Sequence, residues 1–323
     1  MKSKTIAAHV AGAMLAVAAF AQAADTYPSR PIRAVVPFTA GSTTDIIARA
    51  VGERLNAGLG QNVIIDNRAG AGGTIGAAIA AQAPADGHTL LIHSSSHTVN
   101  PAMYAKLPYD TVRDFSGITP LASLPNVLVI SPSKNIRSVK DLIAAAKAKP
   151  GSVTFASAGQ GSATHLNAEK FRVRAGMEVV HVPFKGSPEA LVDVMQGRVH
   201  YYFCPVAPAL PFIKDGKIMA LAVGSAKRSS VLPDVPTTVE AGVPGSDYNF
   251  WIGMLVPAKT PRAIVTRLHQ ETQKALASPE VRKRFADLGA EAMPLTPEQF
   301  DALVKTEIAA NKTIVEAAGL KAN

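Results

Sequence analysis

Cysteine is nearly missing from this chain: Cys204 stands alone in 323 residues, which excludes an internal disulfide. A chain of this length can form two lobes with separate cores and rely on packing alone. Aromatic residues are scarce at 6%, and the basic excess (33 Lys and Arg against 24 acids) is spread thinly. Its densest run is Arg282-Lys283-Arg284. A nucleic-acid binder concentrates charge on one stripe with aromatics between, so that class is excluded. Catalytic signatures are absent too: there is no H-E-x-x-H, no G-x-S-x-G elbow and no phosphate-loop lysine motif. The glycines of Asn67-Arg68-Ala69-Gly70-Ala71-Gly72-Gly73-Thr74 fit no G-x-G-x-x-G register. They read instead as close packing at the start of an alanine-rich helix. No metal or cofactor motif is present, and none is expected.

Long apolar runs are also lacking beyond the first twenty residues. Residues 1–23 read as a cleavable export signal. Lys2 and Lys4 form its basic start, Ile6 to Phe20 its apolar run, and Ala21-Gln22-Ala23 its A-x-A cleavage site. The run is short for a membrane span and is interrupted by His9.

The organising stretch is Ile32 to Leu55. A short apolar strand (Ile32, Ala34, Val35, Val36) enters a turn through Pro37 to Thr44. A helix then carries Ile46, Ile47, Ala50, Val51 and Leu55 on one face. Gly41, Ser42, Thr43 and Thr44 sit where the helix's free N–H groups and its positive dipole end emerge, a natural place for an anion. Such hydroxyls are equally the usual N-caps. Ser152 to Gly176 repeats the plan, with strand Val153–Ser157, a turn holding Gly159, Gly161, Ser162 and Thr164, and a helix through Phe171. Two such corners, far apart in sequence, predict two lobes facing each other across a cleft that grips a small anion mainly with main-chain N–H groups.

The remaining segments alternate strand and helix, the pattern of a parallel α/β sheet. Thr89–His93 runs into Ser94, Ser95, Ser96 and His97, placed at the cleft mouth because ligands gather at the carboxyl ends of such strands. Leu121 to Ile130 reads as one strand crossing between lobes, and Phe250–Val256 as the return. Thr260-Pro261, Ser278-Pro279 and Thr296-Pro297 each open a helix.

Many short segments together give a resemblance. They include Pro37-Phe38 with Gly41 and Asp45, Asp66-Asn67-Arg68 with Gly70 to Gly73, and Asn100-Pro101. Leu107-Pro108-Tyr109-Asp110, Ser157-Ala158-Gly159 with Gly161-Ser162 and His165-Leu166, His181 to Gly186 and Leu232 to Thr237 continue the set. In this order they resemble the periplasmic substrate-binding proteins of the tripartite tricarboxylate transporter (Bug) family. The resemblance implies an α/β, two-lobed periplasmic-binding-protein fold (type II, Venus-flytrap) with a ligand cleft between the lobes. Lobe 1 is expected over residues 24–124 plus 251–323 and lobe 2 over 125–250. It also implies a monomer in the periplasm that binds a small organic carboxylate, a di- or tricarboxylate or an aromatic acid. Its partners are then the membrane components of a tripartite transporter.

The carboxylates are expected on the loops Phe38, Ala40 to Thr44 and Ser157, Ala158, Gly159, Gln160, Gly161, Ser162, Thr164. His165 and Lys185 are candidate donors, and Phe203, Cys204 and Trp251 candidate cleft-wall residues. Two departures from the family pattern stand out: Ser42 replaces a glycine, and Cys204-Pro205 replaces an Asp or Asn. Of the cleft loops only Asp45 is acidic, and it is expected to serve its own helix start. An ammonium group therefore has no counter-charge, which predicts a non-amino acid as ligand. Two rival readings are a ligand-sensing subunit for a membrane signalling partner and a hydrolase built on Ser162 and His165.

Overall fold

The computed structural model describes residues 27–320, so the expected export signal lies outside the described residues. β1 (Ile32–Val36) is apolar almost throughout because both its faces are covered, as in a parallel strand within an α/β layer. α1 (Thr43–Leu59) is capped by the Ser42 hydroxyl, which accepts from the N–H of Asp45, and ends at Gly60 in the left-handed region. β2 (Val63–Asn67), α2 (Thr74–Ala81), β3 (Thr89–Ser94), α3 (Ser96–Met103) and β4 (Phe115–Ser123) follow. The second half-fold holds β5 (Asn126–Ile130), α4 (Val139–Ala148), β6 (Val153–Ser157), α5 (Ala163–Ala175) and β7 (Val179–Pro183). It continues with α6 (Ser187–Met195), β8 (Tyr201–Pro205), α7 (Val206–Lys214) and β9 (Met219–Val223). β10 (Trp251–Pro257), α8 (Arg262–Ala277), α9 (Pro279–Asp287), β11 (Glu291–Ala292) and α10 (Pro297–Ala317) return to the first. Ser278 and Thr296 cap α9 and α10 as expected, whereas Pro261 rather than Thr260 occupies the cap of α8.

The strands form two sheets, one per lobe. In lobe 1 the order is β11-β4-β10-β3-β1-β2; in lobe 2 it is β7-β6-β8-β5-β9. β1 runs parallel to β2 and β3, and β6 parallel to β7 and β8, so both glycine corners leave their sheets at carboxyl ends. Leu121 to Ile130 is not one crossing strand. It divides between β4 of lobe 1 and β5 of lobe 2, because Pro125 offers no N–H and ends the ladder. The N–H of Leu124 donates to Phe250 O at 3.2 Å, so outgoing and returning crossings lie side by side.

Each lobe has its own aromatic centre: Phe155, Phe171, Tyr201 and Phe203 in lobe 2, Trp251, Phe300 and Phe115 in lobe 1. A third cluster runs through the crossings from Val36 to Val127 and Ile252. Burying one such side chain contributes about 1.5–3 kcal/mol. The lobes also touch on their outer flank, where the Arg172 guanidinium of α5 donates to the Ala318 carbonyl just past α10 at 2.8 Å. That bond satisfies one of the orphan acceptors of the helix end.

Candidate functional site

The two corners meet. Between the lobes lies a cavity with about 260 Å³ of non-atom space, partly open to solvent. Lobe 1 lines it with Phe38, Ser42, Thr43, Thr44, Ser94 and Ser96, and the return crossing adds Phe250. Lobe 2 contributes Ala158, Ser162, Thr164, Ser187 and Pro205. None of these side chains carries a charge. Eight are hydroxyls, split between both lobes.

Both helix starts are built alike. Ser42 and Ser162 are N-caps, accepting from the N–H groups of Asp45 and His165. Among the described residues the amides of Thr43, Thr44 and Thr164 find no partner, and the Thr43 hydroxyl is buried and unpaired. These groups sit at the positive ends of α1 and α5, where negative charge is stabilised. Of the main-chain N–H groups expected to grip the solute, those of the glycines are already used. Gly41 N–H donates to the Asp45 carboxylate at 2.9 Å, Gly159 N–H to Ser157 Oγ at 3.1 Å and Gly161 N–H to His165 Nδ1 at 3.3 Å. The glycines shape the corners; the threonine amides and the Thr43 hydroxyl remain open. Asp45 serves its own helix start as expected: burial pushes its pKa up, but hydrogen bonds from Arg49, Gly41 and Asn67 outweigh that and lower it.

Several expected contacts point elsewhere. Phe203 packs on Phe171 with ring centres 5.2 Å apart inside lobe 2, and Cys204 is fully buried, its thiol pKa pushed up by burial. Trp251 faces the lobe 1 core, against Phe300, and donates its indole N–H to Glu307 at 2.9 Å. The neighbours Pro205 and Phe250 take the cavity wall instead. Ser95 lies buried behind the wall with its N–H on Trp251 O, while Ala40, Gly41 and Lys185 are exposed outside it. Ser157 and Gln160 brace their loop, Ser157 Oγ lying 2.6 Å from His181 Nε2.

His165 does not reach the cavity. Its ring stacks on His181 at 3.9 Å, and burial first, then His181 and Arg172, lower its pKa to about 3. Its ring makes no bond to the Ser162 hydroxyl, which caps the helix instead, so the pair expected of a hydrolase is not assembled. His97 is likewise a core residue, enclosed by His93, Tyr109 and Phe115 with neither ring nitrogen bonded. Burial lowers its pKa to about 4. The folded value lies below the unfolded one, about 6.5, so its contribution to stability is full above that pH and is lost as pH falls toward 4. His97→Phe keeps an aromatic ring there. Calorimetry at pH 5 is expected to show about one proton fewer taken up on unfolding than in wild type.

The geometry above fits a solute receptor, and sequence comparison agrees. The profile described as "Tripartite tricarboxylate transporter family receptor" matches residues 47–320. The chain belongs to this family. BugT of Bordetella pertussis is 38% identical over 316 residues, 97% of each chain. Among solved structures, Rpa4515 of R. palustris with adipate has a TM-score of 0.89 and 36% identity, covering 92% of this chain and all of its own. MatC of Rhodopseudomonas palustris with bound malate has a TM-score of 0.85 and 32% identity, covering 90% of this chain and 100% of its own. This receptor is therefore a two-lobed solute-binding protein of the tripartite transporter family and not an enzyme. Its cavity wall includes three residues the sequence did not single out: Ser187, Pro205 and Phe250. The Ser-Pro helix start at Ser187, where the hydroxyl belongs to the first residue of α6 after its Gly186 cap, was the available signal.

Proposed function

We propose that this receptor captures a short dicarboxylate without an amino group, in the periplasm and as a monomer, and presents it to the membrane components of its transporter. The observation that carries the reading is an interlobe cavity of hydroxyls and two helix N-termini that holds no charged side chain. Opposed donor sets suit a solute with a carboxylate at each end, and Phe38 and Phe250 suit the carbon chain between. The adipate and malate of the two related structures are acids of this kind. An α-ammonium group would be stripped of water with no carboxylate to meet it. The hinge of closure is the paired crossing at Leu124-Pro125 and Asn249-Phe250. Closure follows binding because only the closed form offers both donor sets to one solute.

Isothermal titration tests this. Malate, succinate or adipate is expected to bind at least about ten-fold tighter than aspartate or glutamate, the unpaired ammonium supplying the difference. Tighter binding of either amino acid overturns the reading. A protein that binds these acids but promotes no uptake with its membrane partners would favour the sensing role instead.

A further inference from the structure

The glycine-rich turn Gly70 to Gly73 lies outside the cavity wall, yet it meets the other lobe more closely than any side chain would permit. A Cβ on Gly72 would stand 2.1 Å from the carbonyl oxygen of Gln160 and 3.0 Å from Ser162 N. The obstruction is backbone, so it cannot swing aside. Around this contact lobe 1 supplies the donors that the lobe 2 loop needs. Asn100 Nδ2 donates to Gly161 O at 3.1 Å and to Gly72 O at 3.3 Å. Tyr104 OH donates to Gln160 O at 2.8 Å, and Tyr109 OH holds Asn100 Oδ1 at 3.2 Å. Gly159 fits the same seam, its own Cβ position lying 2.9 Å from Gly72 N.

We propose that Gly72, with Asn100 and Tyr104, forms a closure surface: a direct lobe-to-lobe seam that sets how readily the receptor shuts, independently of any solute. Gly72 supplies the clearance and the two side chains supply the attraction. The carbonyls of Gln160 and Gly161 belong to the loop that carries Ser162 and Thr164, so the seam also positions the lobe 2 half of the cavity. Affinity then has two separable parts, contacts to solute and the cost of closing.

The test needs no ligand, so its failure is distinct from failure of the dicarboxylate reading. At the cleft mouth a Cβ on Gly186 would lie 3.2 Å from Thr39 Cβ, a few tenths of an ångström inside the usual span of a disulfide, so a small shift lets the bond form in the closed form. In the Thr39→Cys, Gly186→Cys double variant, the rate of crosslinking under mild oxidation reports the closed population, while Cys204 stays buried. Adding Gly72→Ala is expected to slow crosslinking by about ten- to a hundred-fold, the range of an overpacked contact. Asn100→Ala and Tyr104→Phe are expected to slow it by about two- to ten-fold each. Gly60→Ala is the control for backbone strain, since Gly60 has a similar φ of +69° against +61° and nothing within 4 Å of its Cβ position. Equal rates in the Gly72→Ala and Gly60→Ala backgrounds overturn the proposal. So does a double variant that never crosslinks.

Discussion

Thr164→Asp is expected to weaken dicarboxylate binding by a hundred-fold or more while leaving the fold intact. Thr164 is the second residue of α5, 97% buried by its 3% exposure, and it lines the cavity. A carboxylate there suits the helix start, where negative charge is stabilised by the dipole, so folding tolerates it. The solute does not. Two like charges about 4–5 Å apart at an effective dielectric near 20 repel by about 3–4 kcal/mol, which corresponds to a factor of several hundred. The introduced group also occupies the amides that the solute needs. Thr164→Val is the milder companion: it removes a hydroxyl that accepts from Ala158 N–H at 3.0 Å and should cost about ten-fold at most. Titration with malate and adipate decides it. An aspartate variant within three-fold of wild type would remove α5 from the anion site.

The largest effect on stability is expected from Trp251→Ala. Trp251 is fully buried, meets Phe300 edge-on at 5.2 Å and donates to Glu307 at 2.9 Å. Truncation opens a cavity in the lobe 1 core, a loss of about 3–5 kcal/mol. It also removes a donor from a carboxylate whose pKa burial already pushes up, and an underpaired buried acid adds to the cost. Trp251→Phe restores most of the packing and none of the hydrogen bond, so about 1–2 kcal/mol is expected for it. Melting followed by circular dichroism should show a Tm fall of the order of 10 °C for the alanine variant. An alanine variant that melts with wild type would mean that the indole faces the cleft after all.

The two corners were legible because their chemistry is local. An apolar strand running into glycine and hydroxyls marks a sheet edge followed by a capped helix, and Ser42 and Ser162 are those caps. The pairing of the lobes across them was legible from the repeat. Side-chain direction was not. β8 and β10 are buried at every position, so no alternation tells which neighbour faces the core and which the cleft. That ambiguity put Phe203 and Trp251 on the wall in place of Pro205 and Phe250. His97 was misplaced for a related reason: a histidine beside three serines reads as polar, yet its ring sits among aromatics in a helix that the serines begin. Contacts between lobes lie beyond local reasoning altogether. Nothing near Gly72 in sequence announces that its missing side chain clears the backbone of Gln160.

One property of the cavity reaches beyond structure. None of its lining side chains gains or loses a proton over the range in which bacteria live. For the dicarboxylate proposed above, acidity in the surroundings therefore acts on capture by deciding how much of the solute is fully ionised, and hardly at all through the side chains that line the cavity. A cell relying on such a receptor tracks the speciation of its food without having to sense pH.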